Sequence, residues 1–247
     1  MSVFGVYNIK GGVGKTASTV NLAWLAASEG ARTLVWDLDP QGAASFYFRI
    51  KPKVEGGARG LIAKKDRVRA AIKATDYDNL GLLPANLSYR YLDLELSTAK
   101  KPLRAARRVL KPLKQDYDHI FVDCAPNIAL SSESLFASVD TLLVPMIPTT
   151  LSVRTLHQLT NFLAGIERGE LRVIPFFTMV DRRKKIHVQT IKTFLDGRVD
   201  VLQSYIPYSA DVERMGSERA VLAQFAPRSS GMAGMRGVWS EIKTRLG

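Results

Sequence analysis

The chain has 247 residues, of which 46% are apolar and 23% charged, a composition typical of a globular α/β protein with a substantial core. Its 35 basic and 23 acidic residues give a formal net charge of +12, which favours a polyanionic partner such as nucleic acid or an anionic membrane face. No stretch approaches the roughly 20 apolar residues of a membrane span. The single cysteine, Cys124, excludes an internal disulfide, and no Cys/His cluster indicates a zinc or iron–sulfur site.

The first predicted element is a short apolar strand, Val3–Tyr7, that leads into the run KGGVGKT at Lys10–Thr16 and then into a segment of helical composition. Strand, glycine-rich turn and helix are the context of a phosphate-binding loop, in which backbone N–H groups surround a polyphosphate. Lys15 is placed to contact the β- and γ-phosphates, and Thr16 is placed to ligate Mg²⁺. A general phosphate loop does not require Lys10, which lies where it could reach a phosphate from outside, including one held by another subunit.

Two acidic motifs follow later strands. Asp37 and Asp39 leave the predicted strand Thr33–Trp36, and Asp123 follows the predicted strand His119–Val122. At the carboxyl end of a strand, Asp123 is placed to bind Mg²⁺ directly or through water. A single strand-end aspartate usually caps a loop, but together with the phosphate loop these carboxylates predict a Mg-nucleotide site.

Strands and helices alternate along the rest of the chain. Thr19–Ala27 predicts a helix, and the apolar segments of strand composition are Val3–Tyr7, Thr33–Trp36, Leu80–Leu83, His119–Val122, Thr141–Pro145, Val173–Val180 and Val201–Ile206. This alternation predicts an α/β fold, a doubly wound, mainly parallel sheet with helices on both faces and with ligands at the carboxyl ends of its strands. The segment Arg49–Gly60, rich in Gly, Lys and Arg, is predicted to be an exposed, mobile loop. We expect one domain over residues 1–247, without an N-terminal leader and in the cytoplasm.

The motifs KGGVGKT at 10–16, DLDPQG at 37–42 and FVDCAP at 121–126 resemble, in this order, those of the ParA/MinD group of ATPases, whose deviant phosphate loop carries the extra lysine. Four further segments resemble landmarks of the ParA side of the group: Tyr77–Asn86, Phe177–Arg183, Ile206–Ser209 and Ala226–Ser229. The resemblance covers nearly the whole chain. It is to the small, Soj-like ParA proteins, because there is no room for a helix-turn-helix extension before the first strand.

The resemblance implies ATP and Mg²⁺ as cofactors, and slow hydrolysis of ATP to ADP and phosphate. It implies metal ligation by Thr16 and Asp123 with help from Asp37, and a water-orienting or activating role for Asp39. Lys10 would cross the interface of an ATP-dependent homodimer to the partner's nucleotide, while Lys15 holds the phosphates. The other residues that it assigns to the nucleotide are Gly11, Gly12, Val13, Gly14, Thr16 and Ala17 at the phosphates, and Met179, Asp181 and Pro207 at the adenine. Ala17 stands where many relatives carry a threonine, so a hydroxyl contact to the α-phosphate is lost.

The basic residues add expectations about partners. In this family, ATP-bound dimers bind DNA without sequence preference on the nucleoid, and a ParB-like or cargo-adaptor protein stimulates hydrolysis to move DNA or a large cargo. Contacts to phosphates by lysine and arginine suit such binding, because they carry affinity and little sequence information. The candidate DNA contacts are Arg182, Arg183, Lys184, Arg214 and Arg219. The basic segment Lys100–Lys114 is interpreted as the solvated face of a helix that packs on the sheet.

Two functions of other classes stay open. A MinD-like membrane-cycling ATPase would use a terminal amphipathic helix, and apolar residues recur at helical spacing near the C-terminus: Met235, Val238, Trp239, Ile242 and Leu246. Most such helices pack on the core, so a membrane partner is not expected. A metabolic phosphate-loop enzyme would need a substrate pocket, for which the sequence offers no residues. A nitrogenase-reductase-like carrier is excluded, because one cysteine per chain is too few to hold a cluster between two subunits.

Overall fold

A computed structural model describes residues 1–63, 65–166, 170–197 and 200–246 of the chain. Its strands are β1 (Ser2–Val6), β2 (Thr33–Asp37), β3 (Lys73–Ala74), β4 (Leu80–Leu83), β5 (His119–Asp123), β6 (Thr141–Met146), β7 (Arg172–Val180) and β8 (Tyr205–Pro207). Its helices are α1 (Lys15–Ser28), α2 (Ala43–Tyr47), α3 (Gly57–Ala63), α4 (Lys65–Ala71), α5 (Leu92–Ser97), α6 (Ala105–Leu110), α7 (Leu130–Phe136), α8 (Thr150–Ala164), α9 (Lys185–Asp196), α10 (Ala210–Glu218), α11 (Leu222–Phe225) and α12 (Ser230–Leu246). Short 3-10 turns cover Leu87–Tyr91, Pro102–Arg104 and Lys111–Leu113.

The strands form one sheet in the order β3-β4-β2-β5-β1-β6-β7-β8. All neighbouring strands pair in parallel except β3 and β4, which are antiparallel. β1 lies inside the sheet, with β5, β2, β4 and β3 on one side of it and β6, β7 and β8 on the other. The predicted doubly wound, mainly parallel sheet is therefore confirmed. In such a sheet the ligand edge lies beyond the carboxyl ends of the strands near this central position.

Both faces of the sheet are buried, which explains why its strands read as continuous apolar runs. In β1 and the residue after it, Val3 and Tyr7 belong to the core cluster on one face, whereas Phe4 and Val6 belong to the cluster on the other. The first cluster includes residues of α5, α6, α7 and α8, and the second includes residues of α1 and α12. The sheet therefore separates two helical layers.

The last helix, α12, packs on the core. Its apolar face is at most 2% exposed at Met232, Met235, Val238, Trp239 and Ile242. The Trp239 indole N–H donates to Glu29 Oε2 at 3.1 Å, which ties α12 to the residue that follows α1. A Cβ added at Gly234 would lie 2.7 Å from Pro207 Cδ, so only glycine lets the helix approach β8 this closely. None of the described helices has the length and apolar character needed to cross a bilayer.

Two predictions about elements need correction. The segment Arg49–Gly60 is not simply an exposed loop, because α3 begins within it and Val54 and Ala58 are only 5% and 2% exposed. The chain at Asn86 and Ser88 holds it in place: Asn86 Nδ2 donates to the Val54 carbonyl at 3.1 Å, and Ala58 N donates to Ser88 Oγ at 2.9 Å. The predicted strand Val201–Ile206 begins only at Tyr205, after a buried approach at Val201 and Leu202.

Candidate nucleotide site

The loop between β1 and α1 takes a left-handed backbone conformation at two glycines. Gly12 has φ +72° and Gly14 has φ +83°, values that a residue with a Cβ rarely adopts. Gly14 is the N-cap of α1, and no side-chain hydrogen bond caps the first turn of this helix. The N–H groups of that turn, which lack helical partners, are therefore directed at the loop, where an anion would find them.

Side chains from the neighbouring part of the sheet fix this loop. Asn8 Oδ1 accepts a hydrogen bond from Lys10 N at 2.9 Å, while Asn8 Nδ2 donates to the Pro145 carbonyl at 2.8 Å. Thr178 Oγ1 on β7 donates to the Val13 carbonyl at 2.8 Å. These three hydrogen bonds hold the loop against β6 and β7.

Lys15 is the cation at the centre of this loop. Its side chain is buried, and its Nζ donates to the Lys10 carbonyl at 3.1 Å. Burial lowers the pKa of this ammonium, and the charges of Asp123 and Asp39 partly oppose that shift. No carboxylate in the described part of the chain lies within 4.0 Å of Nζ, so this cation is available to an anionic ligand.

Two buried carboxylates lie at the carboxyl ends of neighbouring strands. Asp37 on β2 and Asp123 on β5 are register partners, and both are 0% exposed. Asp37 Oδ2 accepts hydrogen bonds from Ser45 N and Ser45 Oγ, both at 2.7 Å, and Asp123 Oδ1 accepts one from Thr19 Oγ1 at 3.3 Å. The other oxygens, Asp37 Oδ1 and Asp123 Oδ2, are buried without a hydrogen-bond partner among the described residues.

This pair of carboxylates fits a divalent cation. Burial raises the pKa of Asp123, and the charge of Asp37 raises it further; burial also raises the pKa of Asp37. Such a pair is unfavourable when both groups are ionised, unless a cation shares their free oxygens. Mg²⁺ is commonly held by one or two carboxylates together with substrate phosphates. Next to the two carboxylates, Lys15 and the loop N–H groups can bind such phosphates.

Asp39 lies in the turn that follows β2, where it is half-buried. Its Oδ1 accepts a hydrogen bond from Gln41 N at 2.9 Å, and its carbonyl accepts one from Gly42 N at 2.9 Å. These bonds fix the turn and hold the carboxylate beside the buried pair.

A cleft opens next to the loop, on the side of β7 and β8. Met179 and Pro207, both predicted at the adenine, line it together with Ala17 and Ser18 of α1. Ser18 Oγ is buried there without a hydrogen-bond partner in the described ranges. Met179 has φ +52° at an irregularity in the pairing of β7 and β8, which sets its backbone apart from a regular strand.

Asp181 is not among the residues that line this cleft. Its carboxylate forms an ion pair with Arg183 at 2.9 Å, which lowers its pKa to about 2. Of the other predicted DNA contacts near it, Arg182 lies over the Tyr205 ring at 5.5 Å, and Lys184 is exposed just before α9.

The two predicted DNA contacts near the C-terminus also have partners within the chain. Arg214 pairs with Asp211 at 3.1 Å and with Glu218 at 2.9 Å. Arg219 ends α10 in a left-handed conformation, donates from Nε to the Phe46 carbonyl at 3.2 Å and lies 4.6 Å from the Phe46 ring centroid. The acids paired with Arg214 both lie on α10, whereas Arg219 joins the end of α10 to α2.

Sequence reasoning missed four polar residues that organise the site: Asn8, Thr19, Ser45 and Thr178. Each makes a hydrogen bond to the loop or to a carboxylate, and each is at most 2% exposed. Thr19 had a usable signal, since it lies one helical turn after Lys15 and so on the same side of α1. The other three depend on contacts between elements that are distant in sequence.

Comparison with known proteins agrees with this geometry. A family model described as an AAA domain matches residues 1–173, the part that contains the loop and both buried carboxylates. The sporulation initiation inhibitor protein Soj of Bacillus subtilis (strain 168) is 30% identical over 239 residues, which cover 93% of each chain. The chain belongs to the ParA-type partition ATPases. ATP hydrolysis is the enzymatic activity of this class.

Solved structures show the same fold as this ParA-type chain. Cobyrinic acid a,c-diamide synthase from Mycobacterium smegmatis, with a bound ATP analogue and magnesium, superposes with a TM-score of 0.86 at 24% identity over 100% of this chain and 95% of that one. The cell division ATPase MinD from Pyrococcus furiosus superposes with a TM-score of 0.80 at 21% identity, over 100% of this chain and 99% of that one. At these identities the likeness concerns the fold.

Proposed function

We propose that this ParA-type chain is a partition or positioning ATPase that dimerises on ATP and binds DNA without sequence preference in that state. A partner protein, ParB-like or a cargo adaptor, stimulates hydrolysis and releases the DNA. The observation that carries the proposal is the glycine loop with buried Lys15 beside two carboxylates that each keep one oxygen without a partner among the described residues. ATP and Mg²⁺ are the cofactors of this site.

Different residues of the site bind the phosphates and the metal. The N–H groups of the loop and of the first turn of α1 hold the phosphates, with Lys15 as point charge. Thr16 and Asp123 hold the metal, and Asp37 assists them. When bound, Mg²⁺ neutralises charge that develops on the transferred phosphoryl group. Structural support comes from the M. smegmatis protein, which has this fold and contains an ATP analogue and magnesium.

Asp39 is the candidate to orient the attacking water, because its carboxylate is fixed by the turn at Gln41 and stays partly accessible. Lys10 is the candidate to complete the site from a second subunit. Its backbone is fixed at both N–H and carbonyl, while its side chain forms no ion pair within the described ranges. The loop geometry therefore leaves its ammonium free to serve a nucleotide across an interface.

The net charge of +12 supports a polyanionic partner. Two subunits joined by ATP would present twice the basic surface, so affinity for DNA should rise steeply on dimerisation. Against the MinD-like alternative, four of the five apolar residues of α12 on which it was based are buried in the core: Met235, Val238, Trp239 and Ile242.

Fluorescence anisotropy with a labelled duplex of random sequence tests this function, as a salt titration with ADP and with ATP. We expect binding to be tighter with ATP, insensitive to sequence and sharply weakened by salt, as counterion release requires. Lys15→Ala, which removes the phosphate-facing cation, should abolish the difference between the two nucleotides. Equal binding with ADP and ATP, or preference for one short sequence, would refute the proposed switch.

A further inference from the structure

The segment from Lys100 to Lys114 holds an unusual concentration of positive charge. Its fifteen residues include seven cations and no acid, more than half of the net charge of +12: Lys100, Lys101, Arg104, Arg107, Arg108, Lys111 and Lys114. We refer to these seven side chains as the basic face. None of the seven belongs to the nucleotide site.

The structure places the basic face on one side of a continuous helical segment. The 3-10 turn Pro102–Arg104, α6 and the 3-10 turn Lys111–Leu113 follow one another without a break. The inner side is buried at Ala105, Ala106, Val109, Leu110 and Leu113. The seven cations are all exposed, and they are the only exposed residues of the segment, all of which the structure describes. From Arg104 to Lys114 the face extends about 15 Å along the helical axis.

The charge of the basic face is not compensated within the described part of the chain. None of its side chains forms an ion pair there, in contrast with Arg183 and Arg214, which both do. Asp140 and Glu170 line a groove beside part of the face, and Glu95 lines another groove with Arg108. Asp140 is engaged elsewhere, since its Oδ2 accepts a hydrogen bond from Val3 N at 2.8 Å.

The C-terminal part of the basic face, from Arg107 to Lys114, lies at the opposite end of the strands from the nucleotide loop, whereas the start of α6 packs near Trp36 and Leu38, where β2 ends. Lys114 precedes the amino end of β5, and the groove beside it includes Asp140, which precedes the amino end of β6. The phosphate loop follows the carboxyl end of β1. A polyanion on this C-terminal part of the basic face would therefore leave the loop and Lys10 accessible to a second subunit. Arg59 of α3 shares a second groove with Arg108 and with one acid, Glu95 of α5.

We infer that the basic face binds the phosphate backbone of duplex DNA and supplies the main non-specific DNA contact of this protein. The inference rests on the proposed function and names the surface that carries it. A length of about 15 Å matches roughly four phosphates of one strand at their 3.4 Å axial spacing. Binding of a folded acidic protein usually buries aromatic or aliphatic anchors, and every exposed side chain of this segment is cationic. A uniform polyanion suits such a surface better.

The test compares two triple variants that remove the same charge. The first, Arg107→Gln with Arg108→Gln and Lys111→Gln, neutralises the centre of the basic face; glutamine has a helix propensity close to that of arginine and lysine. The control, Lys51→Gln with Lys73→Gln and Lys192→Gln, removes three exposed lysines that lie on other elements. Both are measured by anisotropy on a random-sequence duplex with ATP over a salt titration. Circular dichroism and thermal melting check their folding.

We expect the face variant to bind DNA at least about tenfold more weakly, with a slope of log K against log salt that is shallower by about 2–3. The control variant should lose about twofold or less in DNA affinity. The charge-preserving variant Arg107→Lys with Arg108→Lys should bind as the wild type does, which separates loss of charge from damage to the helix.

Equal losses in the two triple variants would show that net charge and not this surface carries binding, and would overturn the inference. Undiminished binding by the face variant would overturn it as well, while leaving the proposed function intact. Wild-type protein that retains no DNA with either nucleotide would instead refute the proposed function, and with it the inference.

Discussion

Replacing Asp123 with asparagine should stabilise the nucleotide-free protein. The carboxylate is 0% exposed, and its Oδ2 has no hydrogen-bond partner among the described residues. Burial is the largest cause that raises its pKa, and the charges of Asp37 and Asp39 raise it further, against opposing contributions from Thr16 and Lys15. Without a cation, the ionised form is therefore the unfavourable one. Asp123→Asn removes the charge and keeps an oxygen that can accept the bond from Thr19.

The sign and size of this change in the free energy of unfolding follow from proton linkage. Between the ordinary carboxyl pKa and the raised one, the folded protein binds more protons than the unfolded chain, so the free energy of unfolding falls as pH rises. Each pKa unit of difference corresponds to about 1.4 kcal/mol. We expect Asp123→Asn to increase the free energy of unfolding at pH 8 by about 1–3 kcal/mol, equivalent to roughly one to two pKa units, because loss of the buried charge outweighs the amide N–H groups that asparagine leaves unpaired. At pH 5 the gain should be smaller.

Urea denaturation in EDTA, without nucleotide, measures this at pH 5 and pH 8. Asp78→Asn, at an exposed aspartate without an ion pair in the described ranges, is the matched control and should change little. With MgATP present, the wild type should gain more stability than the variant, because the variant has lost a metal ligand. A variant less stable than the wild type at pH 8 without ligand would refute the reasoning.

Four further outcomes are expected. Lys15→Ala should weaken ATP binding by about 10–100-fold through loss of charge-assisted hydrogen bonds, as measured with a fluorescent ATP analogue; unaltered affinity would contradict the loop assignment. Asp39→Ala should bind ATP, remain dimeric in size-exclusion chromatography with light scattering, and hydrolyse about 100-fold more slowly or worse, whereas normal turnover would remove Asp39 from catalysis. Lys10→Ala should bind ATP and stay monomeric on it, and a normal ATP-dependent dimer would limit Lys10 to a local role. Gly234→Ala should lower the free energy of unfolding by about 1–3 kcal/mol, because its Cβ would lie 2.7 Å from Pro207 Cδ; unchanged urea denaturation would show that α12 can shift at little cost.

The phosphate loop could be predicted because its residues are contiguous and their roles follow from spacing alone. The meeting of Asp37 and Asp123 could also be predicted, since both end strands of one parallel sheet, and the register pairs them directly. What holds them could not be predicted. Ser45 of α2 donates two hydrogen bonds to Asp37 from eight residues further along the chain, and no spacing in the sequence indicates that contact.

The partners of the basic residues also could not be predicted from the sequence. Sequence counts the charge of Arg214 and Arg219 but does not show that one is paired with acids and the other caps a helix against Phe46. The segment Lys100–Lys114 was easier to interpret, because its apolar and basic residues alternate at helical spacing and contain no acid. The segment Arg49–Gly60 is mostly exposed, as predicted, but its polar composition hides the start of α3 and the apolar side chains of Val54 and Ala58 that distant residues bury.

The contact of α12 with the first strand bears on how the molecule opens. Trp239 reaches Phe4 and Phe121 with ring centroids 6.1 Å and 5.9 Å apart, so this helix shields the aromatic face of β1 and β5 from water. Amide protons of α12 should therefore exchange with deuterium as slowly as those of α1, in one cooperative unit. The chain beyond residue 173, where the family model ends, would be inseparable from the nucleotide loop in such an experiment. Opening of α12 would then be accompanied by faster amide exchange in β1, the strand that precedes the nucleotide loop.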